Sequence, residues 1–258
     1  MIKTTVYRLR SPKIKRRLRI ALVSDLHDAP SREVVKKLIK AEPDIVAVVG
    51  DLTSRLDCIE GDVPPNDTGK AARHSGAFEL LRAAASLAPT YYSLGNHELC
   101  GHYYRQNVGR VCRVENLELI KQSGAILLDD RFVDIEGGIR IGGLTSGHTN
   151  ADLVPKTDWL DEFCNTDGFK LLLCHHPEYY PKYLRGLDVD LILSGHAHGG
   201  QIRLFGRGLY APGQGVLPKY TSGIFDGKMI VGRGLANTGG IIPRLFNRRE
   251  LVLIDVDQ

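Results

Sequence analysis

The sequence predicts an α/β fold in which apolar strands alternate with helices and carry polar residues to one edge of the sheet. Continuous apolar runs, typical of strands that are buried on both faces, cover 44–49, 169–174 and 191–194. Stretches with helical periodicity separate several of the strands. Four of five short clusters of Asp, Asn and His come just after a predicted strand, and the first stands at a strand end. Loops at the carboxyl ends of strands converge in open α/β sheets, so these clusters are expected to share one site.

The elements follow in order along the chain. Strands are predicted at 18–24, 44–49, 90–94, 125–128, 131–135, 139–144, 169–174, 191–194 and 251–256, with glycine-punctuated β segments from residue 201. Helices are predicted at 31–40, 76–87, 108–123 and 155–164. Ser31 is the expected cap of the first helix, and Pro155 is expected in the first turn of the last one. Residues 53–75 are rich in Pro, Gly and Asp and predict a long loop.

Composition indicates one domain over residues 1–258, since 258 residues can bury a substantial core but divide poorly into two. No apolar run approaches the length of a membrane span, and the run at 18–23 is too short for a signal peptide. The five cysteines are odd in number and contain no Cys-x-x-Cys pair, which indicates a reducing compartment. Cys174 ends an apolar strand and is interpreted as a buried structural thiol. The expected location is cytoplasmic.

Basic residues concentrate at the start of the chain. Residues 1–19 hold eight basic side chains and no acidic one, in a protein of net charge +4. Residues 1–17 are therefore either a basic arm attracted to an anionic surface or an edge strand whose charges block strand-to-strand association. No aromatic stacking platform lies beside this segment, so a nucleic-acid partner is not expected.

The five polar clusters supply the ligand types of a two-metal hydrolase. They are Asp25-x-His27, Gly50-Asp51, Gly95-Asn96-His97-Glu98, His175 and Gly195-His196-Ala197-His198. Carboxylate, imidazole and amide oxygen can hold two cations about 3.5–4 Å apart, with one carboxylate bridging them. The glycine-flanked pair of histidines is the most specific cluster, because that setting favours close backbone approach to a metal over core packing.

In this order, the clusters resemble the calcineurin-like metallophosphoesterase superfamily over about residues 18–256. The stretch from Ser194 through Gln201, with Gly232-Arg233-Gly234-Leu235 and Pro243-Arg244-Leu245-Phe246, is similar to a bacterial branch of small metallophosphoesterases. That branch includes cell-wall and membrane-linked members and a UDP-diacylglucosamine pyrophosphohydrolase. The resemblance implies a four-layer α/β/β/α sandwich with two mixed central sheets and a dinuclear metal site at the carboxyl ends of strands.

The resemblance also implies a ligand set. One metal would take Asp25, His27 and His198, the other would take Asn96, His175 and His196, and Asp51 would bridge the two. His176 competes with its neighbour, but the family pattern His-x-Pro selects His175, with Pro177 as the proline. Ser54 stands at a position where many family members have an acid. Purple acid phosphatases have a tyrosine ligand at that same position, so Ser54 argues against membership of that subgroup.

The implied reaction is hydrolysis of a phosphodiester, phosphomonoester or pyrophosphate bond by a hydroxide that bridges the metals. His97 is expected to protonate the leaving group or steady the transition state, with Glu98 orienting it. Mixed imidazole and oxygen ligands favour Mn, with Fe or Zn as alternatives.

The substrate stays open between two kinds of phosphate ester. One is a lipid-linked phosphate or pyrophosphate, reached by peripheral association with an anionic membrane at its inner face. This reading rests on the basic arm and on apolar residues interleaved with arginines at 241–249. The other is a soluble nucleotide or small ester. A non-catalytic interaction module built on the same fold is the alternative from a different class, and retention of every expected ligand argues against it.

Overall fold

The computed structural model describes residues 1–53, 76–98, 114–147, 154–236 and 243–258. The strands are β1 (Lys3–Arg10), β2 (Leu18–Val23), β3 (Ile45–Val49), β4 (Thr90–Ser93), β5 (Ile126–Leu127), β6 (Arg131–Ile135), β7 (Ile139–Leu144), β8 (Phe169–Cys174), β9 (Leu191–Ser194), β10 (Arg203–Leu204), β11 (Arg207–Gly208), β12 (Tyr210–Ala211), β13 (Gly215–Val216), β14 (Gly223–Phe225), β15 (Met229–Val231) and β16 (Glu250–Asp257). The α-helices are α1 (Arg32–Ala41), α2 (Gly76–Leu87), α3 (Val114–Gln122) and α4 (Leu160–Cys164). A π-helical turn covers Tyr180–Leu184 and a 3-10 turn covers His198–Gly200.

Two mixed sheets of six strands form the framework. The first has the order β1-β16-β2-β3-β4-β5 and the second has the order β14-β15-β9-β8-β7-β6. Strands β2 to β5 run parallel, as do β15, β9, β8 and β7, while β16 against β2 and β6 against β7 are antiparallel. The parallel strands place their carboxyl ends at one edge of each sheet.

Three apolar clusters arrange these elements as four layers, α/β/β/α. The central cluster joins the inner faces of the two sheets, for example Leu22 with Leu173. A second cluster packs α1 and α2 on the outer face of the first sheet, with Val34 fully buried. A third packs Phe163 of α4 and Tyr180 of the π-helical turn on the second sheet. Because both faces of each sheet are covered, β3 and β8 are buried along their whole length.

The basic segment at the start of the chain contains an edge strand. Strand β1 pairs in parallel with β16 and alternates between exposed and half-buried residues. Several of the basic side chains that follow it are paired with acids: Arg17 and Arg19 both contact Asp255 at 2.7 Å, and Lys13 lies 3.0 Å from Asp190. Part of the positive charge of residues 1–19 is therefore neutralised within the fold.

The described elements follow the predicted order, and strands β6, β7, β8 and β9 and helix α2 have the predicted bounds. Ser31 stands at the N-cap of α1 as predicted, but its side chain makes no capping hydrogen bond, because its hydroxyl donates to Glu79 at 3.0 Å instead. The predicted start of the last helix was wrong. Pro155 is buried in a non-helical stretch, and α4 begins only at Leu160.

The predicted thiol environment of Cys174 is confirmed, since it is buried and burial raises the pKa of its thiol. Other predictions fall outside the described residues. These concern Cys58, Cys100, Cys112, Ser54, most of the 53–75 loop, residues 108–113 and residues 241 and 242.

Candidate metal centre

Five loops bring the predicted ligands to the carboxyl edges of both sheets. The loops follow β2, β3 and β4 in the first sheet and β8 and β9 in the second. Backbone hydrogen bonds join the loops: the Asp25 amide donates to Gly50, the His27 amide donates to Asp51, and the Gly195 amide donates to His175, each at 3.1 Å. The site is therefore assembled by the crossing of separate loops, as expected at this edge of an α/β sheet.

The backbone at the site is in an unusual conformation. Left-handed φ values occur at five of the seven candidate ligands: Asp25 (52°), His27 (47°), Asp51 (54°), His196 (64°) and His198 (45°). Such angles are uncommon for residues other than glycine, and Asp and His are among the side chains that tolerate them best. Their concentration here indicates that the loops are shaped for function at a cost in backbone strain.

The two aspartates each use one carboxylate oxygen to fix a neighbouring loop. Oδ1 of Asp25 accepts the His196 amide at 2.9 Å, and Oδ1 of Asp51 accepts the His97 amide at 2.8 Å. Gly95 packs so tightly against Asp51 that a Cβ there would lie 2.2 Å from Oδ1. The second oxygen of each carboxylate is thereby oriented by the loops.

The residues fit a metal centre because several buried acceptors lack a hydrogen-bond partner. These are Oδ2 of Asp25, Oδ1 of Asn96 and Nε2 of His196. A buried acceptor without a partner destabilises the fold unless something else satisfies it. An oxygen or imidazole lone pair in this state is what a divalent cation requires.

Potential ligand atoms fall into two groups of three, each with all atoms within 4.8 Å of one another. One group contains Asp25, His27 and His198, and the other contains Asp51, His175 and His196. Asp51 also forms a group with His27 and His97. The Asp51 carboxylate is therefore close to His27 of the first triad as well as to the two histidines of its own triad, as a bridging ligand requires.

The geometry distinguishes His175 from its neighbour His176. Nε2 of His175 lies 3.1 Å from Oδ2 of Asp51, and its Nδ1 lies 2.8 Å from the Val49 carbonyl. A donor bond from Nδ1 to that carbonyl leaves Nε2 for a metal. His176 instead contacts Glu178 at 3.0 Å and belongs to a fourth group with Glu178 and His196.

The protonation states of three histidines affect cation binding at the site. Burial lowers the pKa of His198 to about 4 and holds that of His196 well below its usual value, so both rings are neutral at pH 7. Burial also disfavours the charged form of His175, but the carboxylate of Asp51 outweighs it and raises the pKa of His175 to about 10. Without metal, His175 therefore carries a proton that a cation must displace.

Metal binding at pH 7 should consequently release protons. Because the pKa of His175 is raised above 7, its proton is present before binding, and the apparent affinity should increase as the pH rises. Calorimetric titration with Mn²⁺ in two buffers of different ionisation enthalpy measures the number released. Equal heats in the two buffers would contradict this account.

His97 lies at the margin of the site. Its side chain is 25% exposed, whereas that of Asp51 is only 2% exposed, and its Nε2 is 3.8 Å from Oδ2 of Asp51. The ring packs edge-on against His27 with centroids 4.5 Å apart. A half-buried imidazole here can reach both solvent and a bound ester.

The structure gives Glu98 a role different from the expected one. Its buried carboxylate accepts hydrogen bonds from two loops: Oε2 accepts the amides of Asp51 (2.9 Å) and Gly95 (2.7 Å), while Oε1 accepts the Leu52 amide and the Tyr92 hydroxyl, both at 2.8 Å. Hydrogen bonds to Glu98 therefore connect the loop after β3 to the loop after β4. Glu98 positions Asp51 through the backbone.

Replacing Glu98 by glutamine should lower stability, because the new amide group would face backbone N–H donors. We expect the free energy of unfolding to fall by roughly 2–4 kcal/mol, since buried hydrogen bonds to a charged group are lost. Urea denaturation measures this, with Glu136→Gln, at an exposed position, as control. Equal stability of the two variants would show that the Glu98 contacts contribute little.

Two contributors to the site were missed by sequence reasoning. The side chain of Asn247 donates to the His198 carbonyl at 2.7 Å and to the Gln201 carbonyl at 3.0 Å, which secures the His198 loop. Arg244 was assigned to a surface-binding segment, but its Nη2 lies 3.4 Å from Nδ1 of His198. The only signal in the sequence is the Pro243-Arg244-Leu245-Phe246 motif, which contains Arg244 and directly precedes Asn247.

A sequence model described as calcineurin-like phosphoesterase matches residues 18–200. The chain belongs to this family. Calcineurin-like phosphoesterases in general are metal-dependent enzymes that act on phosphate esters. Within the described residues, no helix has the length and apolar character needed to span a bilayer.

Relatives in the calcineurin-like phosphoesterase family include bacterial proteins. An uncharacterized metallophosphoesterase of Campylobacter jejuni is 29% identical over 256 residues, covering 95% of this chain and 60% of the relative. One of Aquifex aeolicus is 26% identical over 255 residues, covering 93% and 85%. The solved structure of calcineurin-like phosphoesterase YfkN from Bacillus subtilis has 14% identity and a TM-score of 0.46, covering 85% of this chain and 82% of that one. The chain spans 48% to 63% of the length of three curated relatives.

Proposed function

We propose that this chain hydrolyses a phosphodiester, phosphomonoester or pyrophosphate bond with two divalent cations. The observation that carries the proposal is the convergence of six of the seven candidate ligands: Asp25, His27, Asp51, His175, His196 and His198. Buried acceptor atoms without a hydrogen-bond partner at Asp25, Asn96 and His196 support it. Asp25, His27 and His198 would hold one cation, and Asn96, His175 and His196 would hold the other, with Asp51 shared. When bound, such a pair activates water and neutralises phosphoryl oxygens.

Manganese is the proposed metal for activity, with iron or zinc as alternatives. Four of the seven ligands are imidazoles, and the other three offer carboxylate or amide oxygen. This mixture suits Mn, Fe and Zn better than Ca or Mg, which prefer oxygen ligands alone. Metal analysis of protein purified without added metal identifies the species that the chain retains.

His97 is the proposed proton donor to the leaving oxygen. Its ring is half-buried beside Asp51 and His27, so Nε2 can face an ester held at the site while exchanging its proton with solvent. Nε2 lies 3.8 Å from Oδ2 of the Asp51 carboxylate. Glu98 supports this arrangement indirectly, by holding the loop that carries Asp51.

A metal-supplemented substrate screen tests the proposal. Purified protein is assayed with Mn²⁺ on bis-p-nitrophenyl phosphate, p-nitrophenyl phosphate and a nucleoside diphosphate-sugar. Turnover of at least one of them that chelation abolishes and Mn²⁺ restores is expected. A protein that binds no transition metal and hydrolyses none of them would instead be a non-catalytic interaction module.

An anionic membrane is a second candidate partner, favoured by exposed apolar residues near the site. Phe205, Phe246 and Leu217 are 103%, 83% and 70% exposed. Backbone hydrogen bonds tie their segments side by side, since Leu217 pairs with Leu209, Leu209 pairs with Ile202, and the segment containing Leu245 pairs with Arg203. The exposed basic side chains of residues 201–225 and 243–249 include Arg207 and Lys219, and these segments contain no acidic side chain. Exposed apolar side chains among cations suit interfacial binding, and they support a membrane contact beside the His198 loop rather than at β1.

Sedimentation with phosphatidylglycerol vesicles at low salt tests the membrane proposal. The chain should sediment with anionic vesicles and remain free with phosphatidylcholine vesicles. A Phe205→Ser, Phe246→Ser double variant should bind less. Equal binding of the variant, or no binding of the unmodified chain, would exclude this surface.

A further inference from the structure

Arg244 lies against the candidate metal centre rather than on the protein surface. Its Nη2 donates to the Arg233 carbonyl and lies 3.4 Å from Nδ1 of His198. Arg233 follows β15, and the next residue, Gly234, packs against Asp25 so closely that a Cβ there would lie 2.7 Å from the Asp25 Cβ. The guanidinium is therefore next to the Asp25–His198 side of the site.

Most of the hydrogen-bonding capacity of this guanidinium is unused. Nε and Nη1 of Arg244 are both buried and have no hydrogen-bond partner. Among the residues that the structure describes, no carboxylate forms an ion pair with Arg244, whereas Arg19 and Arg140 are paired with Asp255 and Asp134. A buried charged donor without a partner is costly, so its retention calls for a ligand.

The charge around Arg244 indicates the sign of that ligand. The arginine side chain is positively charged at pH 7, and Arg249 and Arg233 add positive charge near it that Asp25 offsets in part. The two metal cations proposed above would add further positive charge beside Arg244. An anion that enters the site is what would offset this repulsion.

We propose that Arg244 binds a phosphate oxygen of the substrate on the Asp25–His198 side of the site. This inference rests on the phosphoesterase function proposed above, because it assigns a substrate contact to that same metal centre. A guanidinium forms strong, directional bonds with phosphate oxygens, and Nε and Nη1 are the donor atoms available here. Arg244 is thus a substrate-anchoring residue, distinct from the metal ligands.

Inorganic phosphate is the probe for this contact. Binding to Mn²⁺-loaded protein is measured by calorimetry and as competitive inhibition, for the unmodified chain, Arg244→Met, Arg244→Lys and Arg248→Met. Arg248 is exposed and four positions away, which makes it the matched control. Metal content and melting temperature are measured for every variant.

Arg244→Met should weaken phosphate binding about 10- to 100-fold, the loss expected for charge-assisted hydrogen bonds. KM should rise with it, while the protein keeps two metal equivalents. Arg244→Lys should recover only part of the loss, because lysine keeps the charge but lacks the planar fork. Arg248→Met should behave as the unmodified chain does. If Arg244→Met does not fold, the lysine variant decides.

Unchanged phosphate affinity in Arg244→Met would overturn the proposal. Loss of metal in that variant would overturn it as well, because Arg244 would then support His198 instead of the substrate. A chain that hydrolyses no ester but loses phosphate binding on Arg244→Met would contradict the Proposed function alone. Comparing inorganic phosphate with pyrophosphate shows which phosphate group Arg244 contacts. Equal losses of affinity for the two anions indicate the phosphate that reacts. A larger loss for pyrophosphate indicates the phosphate next to it.

Discussion

Asp51→Asn is expected to reduce bound metal from two equivalents per chain to one or none. Turnover should fall by at least about a thousandfold, because cation stabilisation of a phosphoryl transition state is worth several kcal/mol. Asparagine keeps the shape of the side chain, tolerates the left-handed backbone at φ 54° and can still accept the His97 amide through Oδ1. The loss would therefore report the missing charge. Metal analysis and the ester assay measure the two effects.

The matched control is Asp255→Asn. Asp255 is also a buried carboxylate, but it pairs with Arg17 and Arg19 near the start of β2, at the opposite end of that strand from the Asp25 loop. The Asp255→Asn substitution should lower the stability of the fold and leave two metal equivalents bound. If Asp51→Asn retained two equivalents, Asp51 would not be the shared ligand.

His97→Ala should leave metal content near that of the unmodified chain while reducing turnover of alkyl phosphate esters about 10²- to 10⁴-fold. The backbone amide that fixes Asp51 is unaffected by this change, since the bond is made by the His97 main chain. p-Nitrophenyl esters should lose much less, because their leaving group departs without protonation. Rates for the two ester types are compared in one preparation of the variant. Equal losses would exclude the role of proton donor.

The strands that carry the site were predictable because their sequences are unambiguous. The all-apolar β3 and the largely apolar β8 and β9 could be assigned from hydrophobicity, and ligand clusters follow directly from them. Helix starts were less predictable, because tertiary contacts decide them. Ser31 has the right chemistry for a cap, but Glu79 from α2 takes its hydroxyl. A short helix such as α4 has too little periodicity to define its first turn.

The candidate ligands could be named from spacing and resemblance, but their supporting residues could not. Glu98 was read beside its neighbour His97, whereas its partners are amides on a loop about 47 residues earlier, at Asp51 and Leu52. Arg244 looked like one of several arginines in a basic stretch. Its proximity to His198 depends on the path of the chain after β15, and a linear sequence does not contain that path.

The most direct test of the central claim is anomalous X-ray diffraction from crystals of the Mn²⁺-loaded chain. Two manganese peaks are expected about 3.5–4 Å apart, on either side of the Asp51 carboxylate. One peak should lie among Asp25, His27 and His198, and the other among Asn96, His175 and His196. A single peak, or peaks centred on the His176–Glu178 pair, would contradict a dinuclear centre that shares Asp51.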